Sequence, residues 1–260
     1  MSDVIFRLEL HWGLRLENAD DCARRLAMTL AALARLHPAF SSWKRQADTK
    51  ADAYRPFCAM PPRIDELSKR FENCFWSPGV PSDGFLLGTW NGQDPPYALA
   101  VLVRAGCSLR YQTAPNRFEI QLPPRTKANA DLLNSRILKS ALVAAVAAWN
   151  PDWGGLSTTD YCYRWERAEP WDGDFRAVNK NCGYLPIIRS GWITYLCADY
   201  ARRIRPPLAA EVEPLVTGGS LLIATEETFS PGNRAHDAVA DAIQDALLPL
   251  QSLPGEAMNG

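Results

Sequence analysis

The sequence is poor in histidine, and its cysteines do not fall into the spacings of metal ligands. It has only three histidines, His11, His37 and His236, and no two of them stand at the spacing of metal ligands. Its seven cysteines are scattered, odd in number and without a C-x-x-C pair, which argues against a zinc site and against a disulfide framework. We therefore expect reduced, mostly buried thiols, no metal and no cofactor.

Other absences narrow the class of protein. No stretch matches the glycine-rich patterns of P-loops and dinucleotide-binding folds, or the G-x-S-x-G pattern of a serine hydrolase. The net charge of −1 gives no general attraction to nucleic acid or to anionic lipid. The longest apolar run, from Ala141 to Trp149, is too short to span a bilayer, and the first residues do not read as a secretion signal. We expect a cytoplasmic protein that contacts neither membrane nor nucleic acid directly.

The apolar residues follow both the two-residue period of strands and the three-to-four-residue period of helices. Strands are predicted at residues 4–10, 85–90, 97–103, 108–112, 117–122, 152–164, 192–196 and 220–225. Helices are predicted at residues 20–37, 63–75, 128–149, 199–204 and 234–250. Because consecutive strands tend to pair, the pattern predicts an α+β fold with a largely antiparallel sheet packed against amphipathic or buried helices. We expect one domain over residues 1–260, with a frayed tail from residue 251.

The stretch from Ser190 to Phe229 gives the strongest sheet signal. Residues 192–196 are β-branched, aromatic or apolar, and the Gly218-Gly219 pair indicates a turn before a second short apolar run. Two strong strands this close together predict that the stretch forms the centre of the sheet. The other glycine pair, Gly154-Gly155, is interpreted as a bulge or tight turn.

A catalytic alternative remains open from the sequence. Cys162 could act as a nucleophile with His236 and an acid, since such partners meet in space rather than in sequence order. His11 is either a turn residue or a polar group in a pocket. A cytosolic hydrolase with a Cys/His site is therefore the second hypothesis, although no local signature supports it. Glu119, which stands between two apolar residues, is predicted on the solvent-exposed face of its strand.

The segment from Trp165 to Cys182 has no strand or helix period and interleaves aromatic with acidic residues. One interpretation is an ordered surface loop whose aromatic side chains enter the core. The other is a recognition patch, in which aromatic anchors provide contact area and carboxylates attract a basic partner. The candidate partner-binding residues are Trp165, Glu166, Glu169, Trp171, Asp172, Asp174, Glu226 and Glu227. The acidic residues Glu17, Asp20 and Asp21 belong either to the same face or to none.

Six short stretches of the sequence form an ordered set. They are H-W-G-L-R-L-E at 11–17, D-C-A-R-R-L at 21–26, H-P-A-F-S-S-W at 37–43, S-G-W-I-T-Y-L at 190–196, G-G-S-L-L-I-A-T-E-E-T-F at 218–229 and N-R-A-H-D-A-V-A at 233–240. Taken in this order, they resemble the immunity protein 52 family. The resemblance covers nearly the whole chain. The residues that match recurrent family positions are Trp12, Trp43, Trp192, Glu227 and His236. Of these, Trp43, Trp192 and His236 are interpreted as scaffold.

The resemblance implies an α+β antitoxin without catalytic residues. Members of that family are encoded beside polymorphic toxins with a restriction-endonuclease-like domain, including type VI secretion toxins, and protect the producing cell by binding the toxin. We accordingly expect a non-enzymatic immunity protein whose partner is a cognate nuclease toxin. An acidic segment suits such a partner, because the DNA-binding face of a nuclease is expected to be basic.

Overall fold

The computed structural model describes residues 4–47, 49–75, 81–108, 116–159, 161 and 188–251. The strands are β1 (Ile5–Trp12), β2 (Lys44–Arg45), β3 (Phe85–Trp90), β4 (Ala100–Ala105), β5 (Asn116–Pro124), β6 (Trp153–Thr158), β7 (Ile193–Leu196), β8 (Glu211–Pro214) and β9 (Ser220–Ile223). The α-helices are α1 (Ala19–Ala34), α2 (Lys50–Ala53), α3 (Ile64–Glu72), α4 (Ser135–Trp149), α5 (Ala198–Ala201) and α6 (Arg234–Gln251). The predicted α+β class is confirmed.

All strands of the described part of the chain belong to one antiparallel sheet, in the order β2-β3-β4-β5-β1-β6-β7-β9-β8. The central strand is β1, which pairs with β5 on one side and with β6 on the other. The prediction that residues 190–229 form the centre was wrong. Strands β7 and β9 do pair with each other, but they stand between β6 and the edge strand β8. The residue composition of a strand indicates whether the strand is buried. It does not indicate how many strands separate it from the edge of the sheet.

The side chains of β1 alternate between two environments, as the period-two pattern predicted. One face is apolar and fully buried; its residues are Phe6, Leu8, Leu10 and Trp12. On this face Trp12 stacks against Trp149 of α4, with 5.3 Å between the ring centroids. Phe118 of β5 also stacks on Trp149, at a centroid distance of 5.7 Å. The core therefore lies between this face of the sheet and the helices α1 and α4.

The ends of the two long helices are set by asparagine caps. The side chain of Asn18 accepts a hydrogen bond from the backbone N–H of Asp21 at the start of α1, and that of Asn134 accepts one from Ile137 at the start of α4. The helix α4 therefore begins seven residues later than predicted. The first helix ends at Ala34 rather than near Pro38, because His37 caps a separate 3-10 turn. No described helix has both the length and the apolar character that crossing a membrane requires.

Two strands escaped the sequence analysis because they carry few apolar residues. The edge strand β8 reads Glu-Val-Glu-Pro and is exposed along most of its length, so no period marks it. The strand β2 has only two residues. The predicted strand at 97–103 is displaced to Ala100–Ala105, because the buried side chain of Asn91 bonds the backbone of Tyr97 and Leu99 and holds both in the preceding loop. Most of the predicted strand at 108–112 lies outside the described residues.

Gly154 and Gly155 lie in the middle of β6, and the interpretation of this pair as a bulge or turn was wrong. Both residues pair in regular register with β1 and with β7. A Cβ on Gly154 would lie 2.4 Å from the carbonyl oxygen of Glu9, and one on Gly155 would lie 2.3 Å from that of Ile193. Glycine is needed here because neighbouring backbones approach too closely for any side chain. Gly218, with φ of +85°, forms the predicted turn before β9.

Replacing Gly155 with alanine should destabilise the fold. The added methyl group would meet the carbonyl oxygen of Ile193 in the interior of the sheet, where neither strand can move without disturbing its neighbours. We expect the free energy of unfolding, measured by urea denaturation, to fall by about 2 kcal/mol or more.

Gly13→Ala is the matched control, because a Cβ at that position would meet no atom closer than 3.6 Å. Its unfolding free energy should stay within about 0.5 kcal/mol of the wild-type value. A Gly155→Ala variant as stable as the control would contradict the close approach of β6 and β7.

Candidate partner-binding surfaces

Most of the sequence-predicted site lies outside the described residues. This applies to Trp165, Glu166, Glu169, Trp171, Asp172 and Asp174, and also to Cys162 of the catalytic alternative. The other two candidates, Glu226 and Glu227, follow β9 and are exposed. The carboxylate of Glu227 lies 3.9 Å from Nε2 of His236, whose Nδ1 accepts a hydrogen bond from the backbone N–H of Ser230. His236 is buried at the start of α6, as expected for a scaffold residue.

The family-matching tryptophans are structural. Trp12, Trp43 and Trp192 are all buried, with at most 2% of their surface exposed. The indole N–H of Trp192 donates to the backbone oxygen of Thr225 at 2.8 Å, which ties β7 to the segment after β9. These side chains are therefore unavailable as anchors for a partner, and the interpretation of Trp43 and Trp192 as scaffold agrees with their burial.

The second face of the central strands is charged. Here Arg7, Glu9 and His11 of β1 lie beside Arg117 and Glu119 of β5, and we call these five residues the charged face. Glu119 is 2% exposed, so its prediction as a solvent-exposed residue was wrong. Its carboxylate lies 3.5 Å from Nε of Arg7 and 3.8 Å from Nη1 of Arg117. These two cations, together with a hydrogen bond from Gln121, stabilise the buried charge.

His11 is packed into the charged face rather than into a turn. Its ring stacks on Trp153 at a centroid distance of 4.4 Å, and Nε2 lies 3.4 Å from a carboxylate oxygen of Glu9. Burial raises the pKa of Glu9, but the contacts with His11 and Arg7 outweigh burial and lower that pKa from 4.5 to about 2. The pair resembles the histidine and carboxylate of a hydrolase, but no described thiol or hydroxyl contacts the ring.

Four of the five described cysteines are poor candidates for the missing nucleophile. Burial raises the pKa of the thiols of Cys22, Cys74 and Cys197, and it raises that of Cys58 to about 11. Such thiols stay protonated near neutral pH, and the thiolate is the reactive form. Among the described residues there is also no group of three or more His, Cys, Asp or Glu side chains that could hold a metal ion.

Glu17 belongs to the interior and not to an exposed acidic face. Its carboxylate is bound by Arg25 at 2.7 Å and by Arg15 at 3.2 Å. The same two arginines donate to the carbonyl oxygens of residues 148–150, so the cluster connects the start of α1 to the end of α4. Asp20 accepts a hydrogen bond from Ser68 of α3. Of the three acidic residues near the first helix, Asp20 is exposed and Asp21, paired with Arg24, is half-buried.

A groove of about 840 Å³ lies between α3 and the β3 end of the sheet. Its apolar wall includes Leu86 and Leu102, and its charged rim carries both signs. Two of the rim cations are paired within the groove: Arg63 with Asp65 at 2.9 Å, and Arg70 with Glu66 at 3.5 Å. The lining has two further cations, Arg45 and Lys69, so the groove carries an excess of positive charge.

The opposite end of the sheet carries a different surface, at β8. Leu208 and Val216 flank this strand and are fully exposed, and Val212 within it is 44% exposed. We call this surface the acidic edge, and its residues are Leu208, Glu211, Val212, Glu213, Val216 and Glu226. The sequence analysis missed most of it, although a signal existed: residues 206–233 contain four acidic residues and no basic one.

A single lysine of α4 shows how the carboxylates of the acidic edge are grouped. Nζ of Lys139 lies 2.7 Å from a carboxylate oxygen of Glu213. The hydrogen bond with Glu213 raises the pKa of Lys139, and the charges of Glu211 and Glu226 raise it further. Strand pairing thus brings Glu226, a candidate from the sequence, close to two acidic residues that precede it in the chain by more than ten positions.

Comparisons with known proteins agree with the resemblance seen in the sequence. A model of the immunity protein 52 family matches residues 6–251. Among solved structures, the Pseudomonas aeruginosa T6SS protein PA0821 has a similar fold, with a TM-score of 0.55 and 12% identity over 94% of this chain and 73% of that one. No curated protein matches the sequence significantly.

Replacing Glu9 with glutamine should weaken the fold in a pH-dependent way. Because the folded-state pKa of Glu9 is about 2 and its ordinary value is 4.5, the carboxylate stabilises the fold above about pH 4.5. That contribution is lost as the pH falls from about 4.5 to about 2. We expect the free energy of unfolding at pH 7 to fall by on the order of 2 kcal/mol, a figure that already allows for the partial exposure of the side chain.

Urea denaturation of both proteins between pH 7 and pH 2 measures this difference. The two unfolding free energies should converge toward acid pH, whereas Glu72→Gln, a change of an exposed residue on α3, should have little effect at any pH. A difference that stays constant down to about pH 2 would mean that Glu9 stabilises the fold without its charge.

Proposed function

This chain belongs to the immunity protein 52 family, and from that membership we propose that it binds and neutralises a cognate nuclease toxin. The observation that carries the proposal is the match of the family model to residues 6–251, which spans nearly the whole chain. The toxin is of the restriction-endonuclease-like kind, as the family resemblance implies. The fold similarity to a type VI secretion system protein supports delivery of that toxin by a type VI system.

Inhibition in this proposal is by binding and not by catalysis. The described thiols with raised pKa are poor nucleophiles, and the His11 and Glu9 pair has no described nucleophile beside it. A sheet backed by buried helices offers a rigid surface, and rigidity lowers the entropic cost of association. We place this activity in the cytoplasm, where a nuclease toxin would reach the chromosome, and in a single domain over residues 1–260.

Electrostatics supports a nuclease as the partner. A protein that cleaves DNA needs a basic face to hold the phosphate backbone. The described surface carries a concentration of carboxylates at one edge of the sheet, and the sequence places four more between residues 165 and 175. Complementary charge accelerates association and favours the correct partner over others.

The proposal is tested by mixing the purified chain with the nuclease domain of the toxin encoded beside it. Nuclease activity should fall to zero at one chain per toxin, and coexpression should protect cells from the toxin. Absence of binding would overturn the proposal. Inactivation of many toxin molecules by one chain would favour the hydrolase alternative instead.

The sequence-predicted recognition segment gives a separate prediction. The double change Trp171→Ala with Asp172→Ala removes an aromatic anchor and a carboxylate that we propose to contact the toxin. Toxin affinity, measured by titration calorimetry, should fall at least about 10-fold, which corresponds to the loss of one moderate hot spot.

The exposed Glu72 of α3 provides the control, because Glu72→Ala also removes a carboxylate and should leave affinity unchanged. Thermal unfolding of each variant confirms that the fold survives. If the double variant binds like wild type, residues 171 and 172 do not belong to the interface.

A further inference from the structure

We propose that the toxin docks on the acidic edge, with the apolar side chains of β8 and its flanking loops as anchors and the surrounding carboxylates facing a basic surface of the nuclease. This inference rests on the proposed function and names the surface that performs it. It is independent of residues 165–175, which the aromatic and acidic pattern of the sequence indicated.

The first observation is the exposure of aliphatic side chains along one edge. Leu208, Val212 and Val216 recur at intervals of four residues, and two of them are fully exposed. Single exposed apolar residues are ordinary, but these three follow one edge strand and its flanks at a regular spacing, so they offer separate anchor points along one edge of the sheet. Because these side chains already face solvent, the fold gains little from them, and burying them against a partner would be favourable.

The second observation is the sign of the surrounding charge. Glu211, Glu213 and Glu226 act together on Lys139, which neutralises only one of them directly. No basic residue occurs between positions 206 and 233, so the patch keeps an excess of negative charge. A partner that buries the apolar residues must therefore present cations around them, which is what a phosphate-binding face does.

The edge itself argues against a second copy of the chain as the occupant. β8 is only four residues long and ends in Pro214, which has no N–H to donate to an added strand. Two copies related by a two-fold axis would also bring Glu211 and Glu213 of one copy against the same residues of the other. Short length, proline and charge are the features by which edge strands resist self-association. Docking therefore occurs through the side chains of the acidic edge and not by strand addition, and the partner is a different protein.

The test compares two double variants of the full-length chain. Glu211→Lys with Glu226→Lys reverses the charge at the edge while leaving the Lys139 to Glu213 ion pair in place. Leu208→Ser with Val216→Ser removes the fully exposed anchors without touching the core. Affinity is measured by calorimetry at two salt concentrations, against the nuclease domain of the neighbouring toxin carrying an inactivated active site.

We expect the charge-reversal variant to bind at least about 30-fold more weakly, and the serine variant about 10-fold more weakly. The wild-type affinity should fall as salt rises, and the charge-reversal variant should lose that dependence. Glu72→Lys and Ile64→Ser, changes of exposed residues on α3 at the other end of the sheet, are the matched controls and should bind like wild type.

The acidic edge would be overturned as the docking surface if both edge variants bound the toxin as tightly as the wild-type chain does. The proposed function would still stand in that case, provided that the wild-type chain inhibits the toxin. Failure of the wild-type chain itself to bind the toxin would be a failure of the proposed function. Light scattering measures whether the edge variants differ from the wild-type chain in self-association. A change in self-association of the edge variants, with toxin affinity unaltered, would make a second copy the occupant and also overturn the inference.

Discussion

The close approach of β6 to both of its neighbours is the constraint on which the rest of the structure depends. The backbone carbonyl oxygens of β1 and β7 lie so close to residues 154 and 155 of β6 that no Cβ atom fits at either position. This contact joins the strands β2 to β5, on one side of β1, to the strands β7 to β9 on the other. The acidic edge and the groove near α3 are held at opposite ends of one sheet by this junction.

The sheet also determines which carboxylates are buried and which are exposed. The charged face of β1 and β5 and the cluster around Glu17 bury carboxylates, and each has arginine partners within ion-pair distance. Burying a charge is costly unless it is paired and hydrogen-bonded, so these groups are committed to the fold. The carboxylates of the acidic edge are different, because Glu211 and Glu226 remain exposed and, among the described residues, only Glu213 has a close cation. The acidic edge therefore retains charge that is free to act on a partner.

Sequence patterns predicted the parts of the fold that depend on local periodicity. The strand Phe85–Trp90 has the predicted bounds, and the alternation of β1 was read correctly. Patterns failed where the outcome depends on residues distant in the chain. The burial of Glu119 follows from the arginines of two strands, and the central position of β1 follows from pairing with β5 and β6. The acidic edge was missed for the same reason, since Glu211 joins Glu226 only when β8 pairs with β9.

The central position of β1 has a consequence for how the protein is made. The strand β1 needs two partners, and the second of them begins at Trp153, about 140 residues after β1 ends. Until then one side of β1 presents unpaired backbone groups, which are the groups through which strand edges pair with other chains. Protection by this protein therefore begins only after most of the chain has been translated, and a cell that makes the toxin at the same time benefits from translating this chain first.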